Sequence, residues 1–292
     1  MDEHRFYKSK NPQVLEIEDA GIAVRTYGKG KPLVFIHGFF VHGYTWRKLL
    51  PELATHFTCY VVDLPGFGDS FYDNKTDFTF TAQAKRLNNL FQRLGINKGF
   101  SLIAHDTGAS IARLVALEEQ NNIEKMVLIN TEMPGHRPPF IPMHQLIAKF
   151  PFANLAFRTL LKCGPIVRSP LLLHQFFFDK NKLRNKSITE HYVKPLQNHH
   201  GMYGMLEYLK GIEWGVVDEF AQNHQLITAE VLLIWGEEDK TFPVKRALEM
   251  CSQFNKTCQL VSIKEAALMP HEEQPEDVLK GILSFIRKKE TH

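Results

Sequence analysis

The chain has 292 residues, 44% of them hydrophobic and 23% charged, with a formal net charge of +3. That length suits one large α/β domain with an inserted subdomain, or two small domains, and the composition buries a substantial core and excludes a disordered chain. Acids and bases are interspersed, so nucleic acid is not an expected partner, and the basic run Arg287-Lys288-Lys289 is read as a solvated helix end.

The opening Met1-Asp-Glu-His-Arg5 lacks the apolar stretch of a signal peptide. No apolar run is long enough to span a bilayer, and the longest, around Pro170-Leu171-Leu172-Leu173, soon meets His174. A cytoplasmic protein without a membrane partner is expected. Cys59, Cys163, Cys251 and Cys258 are too scattered for a disulfide framework or a metal site, so free buried thiols are expected, with no cofactor.

Short β-branched, nearly all-apolar runs predict strands at Leu33–Ile36, Tyr60–Val62, Phe100–Ala104, Met126–Ile129, Val231–Ile234 and Gln259–Ile263. Continuous apolarity of this kind belongs to strands covered on both faces, hence to a mostly parallel sheet. Leu87, Leu90, Phe91 and Leu94 fall at i, i+3, i+4 and i+7 and mark a helix that Gly95 stops. A second helix starts at Gly108 and carries Ile111, Ala112, Val115 and Ala116. From about Pro134 to Ala221 the pattern turns helical and rich in Phe, Leu, His and Tyr before the strand pattern resumes at Val231. Residues 1–133 and 222–292 are therefore expected to form an α/β core, and 134–221 a helical cap over a pocket.

In Ser101-Leu-Ile-Ala-His-Asp-Thr-Gly-Ala-Ser110 a strand ends at Ala104 and a helix begins near Gly108. Residues 105–107 must turn tightly, and the small Ala104 and Gly108 permit the close approach this requires. That is the geometry of a nucleophile elbow with Asp106 at its tip, where α/β sheets present ligand sites. The alternative is that Asp106 merely caps the helix. Upstream, His37-Gly38-Phe39-Phe40 can aim the Phe39 N–H at the spot the Thr107 N–H also faces, forming an oxyanion hole.

The segments HGFF, Asp63-Leu-Pro-Gly-Phe-Gly-Asp-Ser70, HDTGA and Trp235-Gly-Glu-Glu-Asp239-Lys-Thr-Phe-Pro243, in that order, resemble the α/β-hydrolase superfamily, and the His-Asp-x-Gly elbow resembles its haloalkane dehalogenase and epoxide hydrolase branch. The resemblance spans nearly the whole chain and implies the α/β-hydrolase fold, a mostly parallel central sheet flanked by helices with a helical cap between core strands. It implies Asp106 as a nucleophile toward a halide- or epoxide-bearing carbon, and an alkyl ester that water must then hydrolyse with help from a base. Asp239 occupies the position of the usual triad acid and is the favoured one, and Glu132, in Asn130-Thr-Glu-Met, resembles the acid of a second dehalogenase subgroup and is expected near the site; either could instead cap a loop.

The usual base histidine is missing. The stretch Ile263-Lys-Glu-Ala-Ala-Leu268-Met-Pro-His-Glu-Glu-Gln-Pro275 places Leu268 where it belongs. His271 is a candidate replacement or else a solvent-facing helix-start residue beside Glu272 and Glu273. His37 and His105 are expected to brace the loops around the elbow; His136, His144, His174, His199 and His200 could line the pocket. Thr107 and Phe39 lack the side-chain donors with which dehalogenases hold a halide. Tyr192, Tyr203 and Tyr208 could protonate an opening epoxide and Trp214 could donate to a halide, though each could equally be packing. With Phe176-Phe-Phe178 nearby, a small hydrophobic substrate is expected. The competing readings are a hydrolase, a ligand-binding sensor on a hydrolase scaffold, and a chain altered to trap the ester. No oligomeric state is legible.

Overall fold

The computed structural model describes residues 2–96, 99–118, 123–169 and 172–287; Lys288 and Lys289 of the basic run, and Pro170 and Leu171 of the longest apolar run, lie outside them. The described strands form one nine-stranded sheet. They are β1 (Gln13–Ile17), β2 (Ala20–Tyr27), β3 (Lys31–Ile36), β4 (Phe57–Asp63), β5 (Phe71–Tyr72), β6 (Phe100–His105), β7 (Ile123–Ile129), β8 (Glu230–Gly236) and β9 (Cys258–Ile263). The order is β1-β2-β4-β3-β6-β7-β8-β9, with β5 paired to β2. From β4 to β9 all neighbours are parallel, whereas β1, β2 and β5 form an antiparallel edge.

All six expected strands lie within β3, β4, β6, β7, β8 and β9. The apolar runs of β3, β6, β7 and β8 are buried because helices cover the sheet, each fully buried Leu, Ile, Val or Phe contributing about 1.5–3 kcal/mol, whereas in the edge strand β9 only Ile263 is buried. The antiparallel edge carries no such signal. Arg25 interrupts the apolar pattern of β2, and its guanidinium lies buried against Asp63, at 3.4 Å, and Asp69. The helix expected around Leu87 spans Phe80–Arg93, and Gly95 follows at φ +69. The helix after the turn spans Thr107–Glu118.

Register sets the place of chemistry. Ile36 pairs with both Val62 and Ala104, Ala104 with Leu128, and Leu128 with Leu233. The parallel strands therefore end in one row, and the loops after them open on the same edge of the sheet. Helices Phe140–Ala148, Ala153–Lys162, His199–Lys210 and Trp214–Asn223 lie between β7 and β8, the first two packed on the third.

Two expectations are corrected here. Cys251 and Cys258 form a disulfide, since the helix Val244–Cys251 runs back beside the start of β9 and brings their Cα atoms to 5.5 Å. Cys163 is exposed; only Cys59 is the buried free thiol expected.

Candidate active site

The turn between β6 and the helix Thr107–Glu118 holds Asp106 at φ +52, a conformation that costs a non-glycine residue about 1–3 kcal/mol. Asp106 N–H donates to the carbonyls of Ile129 and Asn130, and its own carbonyl accepts from Thr131 Oγ1 and Ala109 N–H. These bonds over-determine the turn. A Cβ at Gly108 would lie 2.2 Å from the His37 carbonyl oxygen, and one at Gly38 would lie 2.5 Å from Asp106 Cβ. Both glycines are needed for the loop after β3 to touch the turn.

That contact does more than pack. Phe39 N–H donates to Asp106 Oδ2 at 2.9 Å, so the carboxylate engages an amide of another loop and is not simply a helix cap. Asp106 also lines a cavity of about 120 Å³, in the range of a void that takes up benzene. Its walls are apolar: Phe40, Val41, Phe242, Leu268 and Met269 from the core side, and Phe140, Ile141, Phe157, Leu161, Phe176 and Phe177 from the inserted helices. The polar floor is His105, Asp106, Thr107, Glu132 and Thr241. Burial, then the nearby Glu132 carboxyl, push the Asp106 carboxyl well above its ordinary range, against the Phe39 and Thr107 amides.

Of the two acids weighed from sequence, Glu132 faces the cavity and Asp239 does not line it. Glu132 Oε2 accepts from Ser110 Oγ at 2.7 Å and from Thr131 Oγ1 at 3.1 Å. Arg113, itself buried, donates to Ser110 Oγ, Thr131 Oγ1 and the Glu132 carbonyl. Burial raises Glu132, with Ser110 and Arg113 opposing. Thr131 Oγ1 thus touches both the Asp106 backbone and the Glu132 carboxyl, fixing the two acids beside each other. Asp239 is satisfied elsewhere: Asn130 Nδ2 donates to Oδ2 at 2.7 Å, and the Thr241 and Phe242 amides donate to Oδ1 at 2.7 and 3.1 Å. Burial raises it to about 6.

Leu268 lines the cavity, and its carbonyl accepts from His105 Nε2 at 2.9 Å. His37 Nε2 accepts from Leu64 N–H, so both histidines brace the loops as expected. His271 faces neither solvent nor the cavity. It is fully buried, bonded through Nε2 to Thr45 Oγ1 at 2.6 Å and packed on Trp46 and His105, and burial holds it well below its ordinary pKa. The solvent-facing reading fails because Glu272 and Glu273 are not surface acids. Glu272 takes a two-pronged bond from Arg47, at 2.5 and 2.9 Å, and another from Tyr192 Oη at 2.5 Å. Glu273 accepts from the Ala267, Phe178 and Asp179 amides. Together they clamp the inserted segment to the loop that carries Leu268.

Three expected substrate-binding residues are placed otherwise. Trp214 donates its indole N–H to Gln145 at 3.0 Å and does not line the cavity. Tyr203 is 37% exposed and stacks on Tyr72. Tyr208 is buried behind Thr107, its hydroxyl 3.0 Å from Thr107 Oγ1. Tyr192 lines the cavity, but its hydroxyl serves Glu272. Sequence reasoning missed Asn130, Ser110, Arg113 and Arg47. Ser110 and Arg113 could have been sought at one helical turn and two from the turn residue Asp106; nothing local marks Arg47, whose partner lies 225 residues away. His144, one of several pocket histidines considered, does line the cavity; its Nδ1–H donates to the Phe140 carbonyl.

A parallel sheet, a strained acidic turn and a glycine loop closing on it define an α/β-hydrolase-fold protein. A model of the alpha/beta hydrolase fold matches residues 31–275, and the chain belongs to that family. Epoxide hydrolase 4 of Mus musculus is 25% identical over 298 residues, covering 95% of this chain and 79% of that protein. A cis-3-alkyl-4-alkyloxetan-2-one decarboxylase of Shewanella oneidensis is 24% identical over 280 residues, covering 90% and 84%. Among solved structures, the ligand-free epoxide hydrolase CorEH superposes with a TM-score of 0.80 at 20% identity, covering 94% of this chain and 98% of its own.

Proposed function

We propose that this protein is a hydrolase of the haloalkane dehalogenase and epoxide hydrolase type, in which the Asp106 carboxylate attacks a saturated electrophilic carbon and becomes an alkyl ester. The observation that carries this reading is a carboxylate at a positive-φ turn, facing an apolar cavity and met there by the Phe39 amide. An ionised carboxylate suits displacement at carbon, and the Phe39 and Thr107 amides are aimed where the ester's oxyanion would develop. The helices of 134–221 act as the cap, and the apolar walls favour a small hydrophobic substrate.

With leucine at position 268, Glu132 takes the part of the base. Two carboxyls facing one apolar-walled cavity cannot readily both ionise, so the pair holds one proton. With an epoxide, Asp106 attacks carbon, the C–O bond breaks, and the proton on Glu132 passes to the released oxygen. Glu132, now ionised, takes a proton from water as its oxygen adds to the ester carbonyl. The tetrahedral intermediate expels the diol's oxygen, which recovers that proton from Glu132, and Asp106 is left as the acid of a singly protonated pair. With an alkyl halide the first step releases halide and needs no proton; Glu132 then gives its proton to solvent, the proton of the net HX release, and only as the carboxylate serves as the base. Asp239 then acts by holding Asn130 and the loop after β8.

The second reading is a ligand-binding or sensing protein. The leucine at the base position and an Asp239 fully occupied by Asn130 and two amides favour it. Incubation with a panel of epoxides and alkyl halides, followed by intact-mass and peptide mapping, distinguishes them. The hydrolase reading requires a mass gain on the Asp106 peptide that decays as diol or alcohol appears, and is absent in Asp106→Asn. Tight binding of an apolar ligand with neither adduct nor product across the panel overturns it.

A further inference from the structure

The two helices that roof the cavity are apolar outward as well as inward. Phe140, Ile141, His144, Phe157 and Leu161 face the cavity. On the opposite side Met143, Leu146, Phe150, Phe152 and Leu155 are 51%, 60%, 61%, 78% and 57% exposed. Met143, Leu146, Ile147 and Phe150 fall at i, i+3, i+4 and i+7, so they form a stripe, and Phe152 and Leu155 carry it onto the next helix. A contiguous apolar face of this kind marks an interaction surface.

Its charge names the partner. From Met133 through Phe178 the sequence contains no Asp or Glu, against five Lys or Arg. Arg137 pairs with Asp218, but Lys149, Arg158, Lys162 and Arg168 make no ion pair among the described residues. A second copy of this chain docking here would bring the same cations face to face with no acid of the segment between them. An anionic headgroup layer over an apolar interior matches both features.

We propose that the face built by Phe140–Ala148 and Ala153–Lys162 docks on a lipid bilayer bearing anionic headgroups, with the Phe150–Phe152 turn dipping into the acyl boundary. No helix among the described residues is long and apolar enough to cross a membrane. Interfacial docking needs only an apolar face with a basic rim, so the sequence expectation of no membrane partner is set aside here. The roof of the cavity would then rest on the phase in which apolar ligands concentrate. The inference does not depend on the chemistry at Asp106.

The test is flotation of the purified full chain with vesicles of phosphatidylcholine and phosphatidylglycerol in equal parts, or of phosphatidylcholine alone. Partition into the anionic vesicles should exceed that into neutral ones by about tenfold and collapse at about 0.5 M salt. The double substitution Phe150→Ser with Phe152→Ser, and separately Lys149→Glu with Lys162→Glu, should each lower it about tenfold or more. These side chains, Lys149 and Lys162 included, are exposed, so circular dichroism and melting should be unchanged. Absence of flotation overturns the proposal, as does flotation that both variants retain. So does a dimer, seen by light scattering, that Phe150→Ser with Phe152→Ser dissolves while vesicle binding is lacking.

Discussion

Replacing Glu132 by glutamine separates the two halves of the proposed reaction. The amide oxygen can still accept from Ser110 Oγ and Thr131 Oγ1, and Arg113 reaches the backbone carbonyl of residue 132, which the substitution leaves in place. The fold should lose no more than about 1 kcal/mol. Ester hydrolysis, deprived of its general base, should slow about 10²–10⁴-fold, so an adduct on Asp106 that is transient in the wild type should accumulate. The first half responds in two ways. Burial and the Glu132 charge hold Asp106 above its ordinary range; without that charge Asp106 ionises at lower pH, and alkylation by a halide should begin at lower pH than in the wild type. Alkylation by an epoxide loses its proton donor and should slow. The pH profile of the wild type should therefore rise to a plateau for a halide but be bell-shaped for an epoxide. Intact-mass time courses with one substrate of each kind measure all of this. If the adduct decays in Glu132→Gln at the wild-type rate, Glu132 is not the base; His144→Gln, expected to leave decay unchanged, then becomes the informative variant.

Leu268→His should speed decay of the adduct, because the side chain already lines the cavity that Asp106 and Glu132 face; an unchanged adduct lifetime would refute the placement. Gly108→Ala should abolish adduct formation and lower the melting temperature, since its Cβ would meet the His37 carbonyl at 2.2 Å; a normal adduct yield would contradict the close-approach argument. Asp239 bears on stability. Its folded pKa of about 6 lies above the ordinary 3.8, so the native state holds this proton more tightly than the unfolded chain does. Stability from this group is present below about pH 4 and is lost as pH rises through 6, by about 3 kcal/mol at roughly 1.4 kcal/mol per unit. Asp239→Asn should flatten that decline in urea unfolding series, at a fixed cost of about 1–3 kcal/mol because its NH₂ opposes the Asn130 amide.

The elbow was legible because its causes are local. A strand that stops at Ala104, a glycine at 108 and a polar tip between them specify a tight reversal whatever surrounds it, and Asp106 does stand there at φ +52. The antiparallel edge was not legible: Arg25 breaks the apolar pattern of β2 and is accommodated only by Asp63 and Asp69, 38 and 44 residues away. The same limit explains the three residues of the inserted segment that were misplaced. Trp214, Tyr203 and Tyr208 were chosen by type, and which way each points depends on how the inserted helices pack on one another.

By itself the sequence determined the six parallel strands, the two helices beside the elbow, the acid at the turn and the facing Phe39 amide. These follow from short-range rules of period, turn and close approach. Only the tertiary structure decided which buried polar groups meet. Sheet register brought Glu132 rather than Asp239 to the cavity, closed Arg47 on Glu272 and walled off His271 behind Trp46. A buried charge must find its partner wherever the fold puts one, and that partner lay as many as 225 residues distant, beyond the reach of any local pattern.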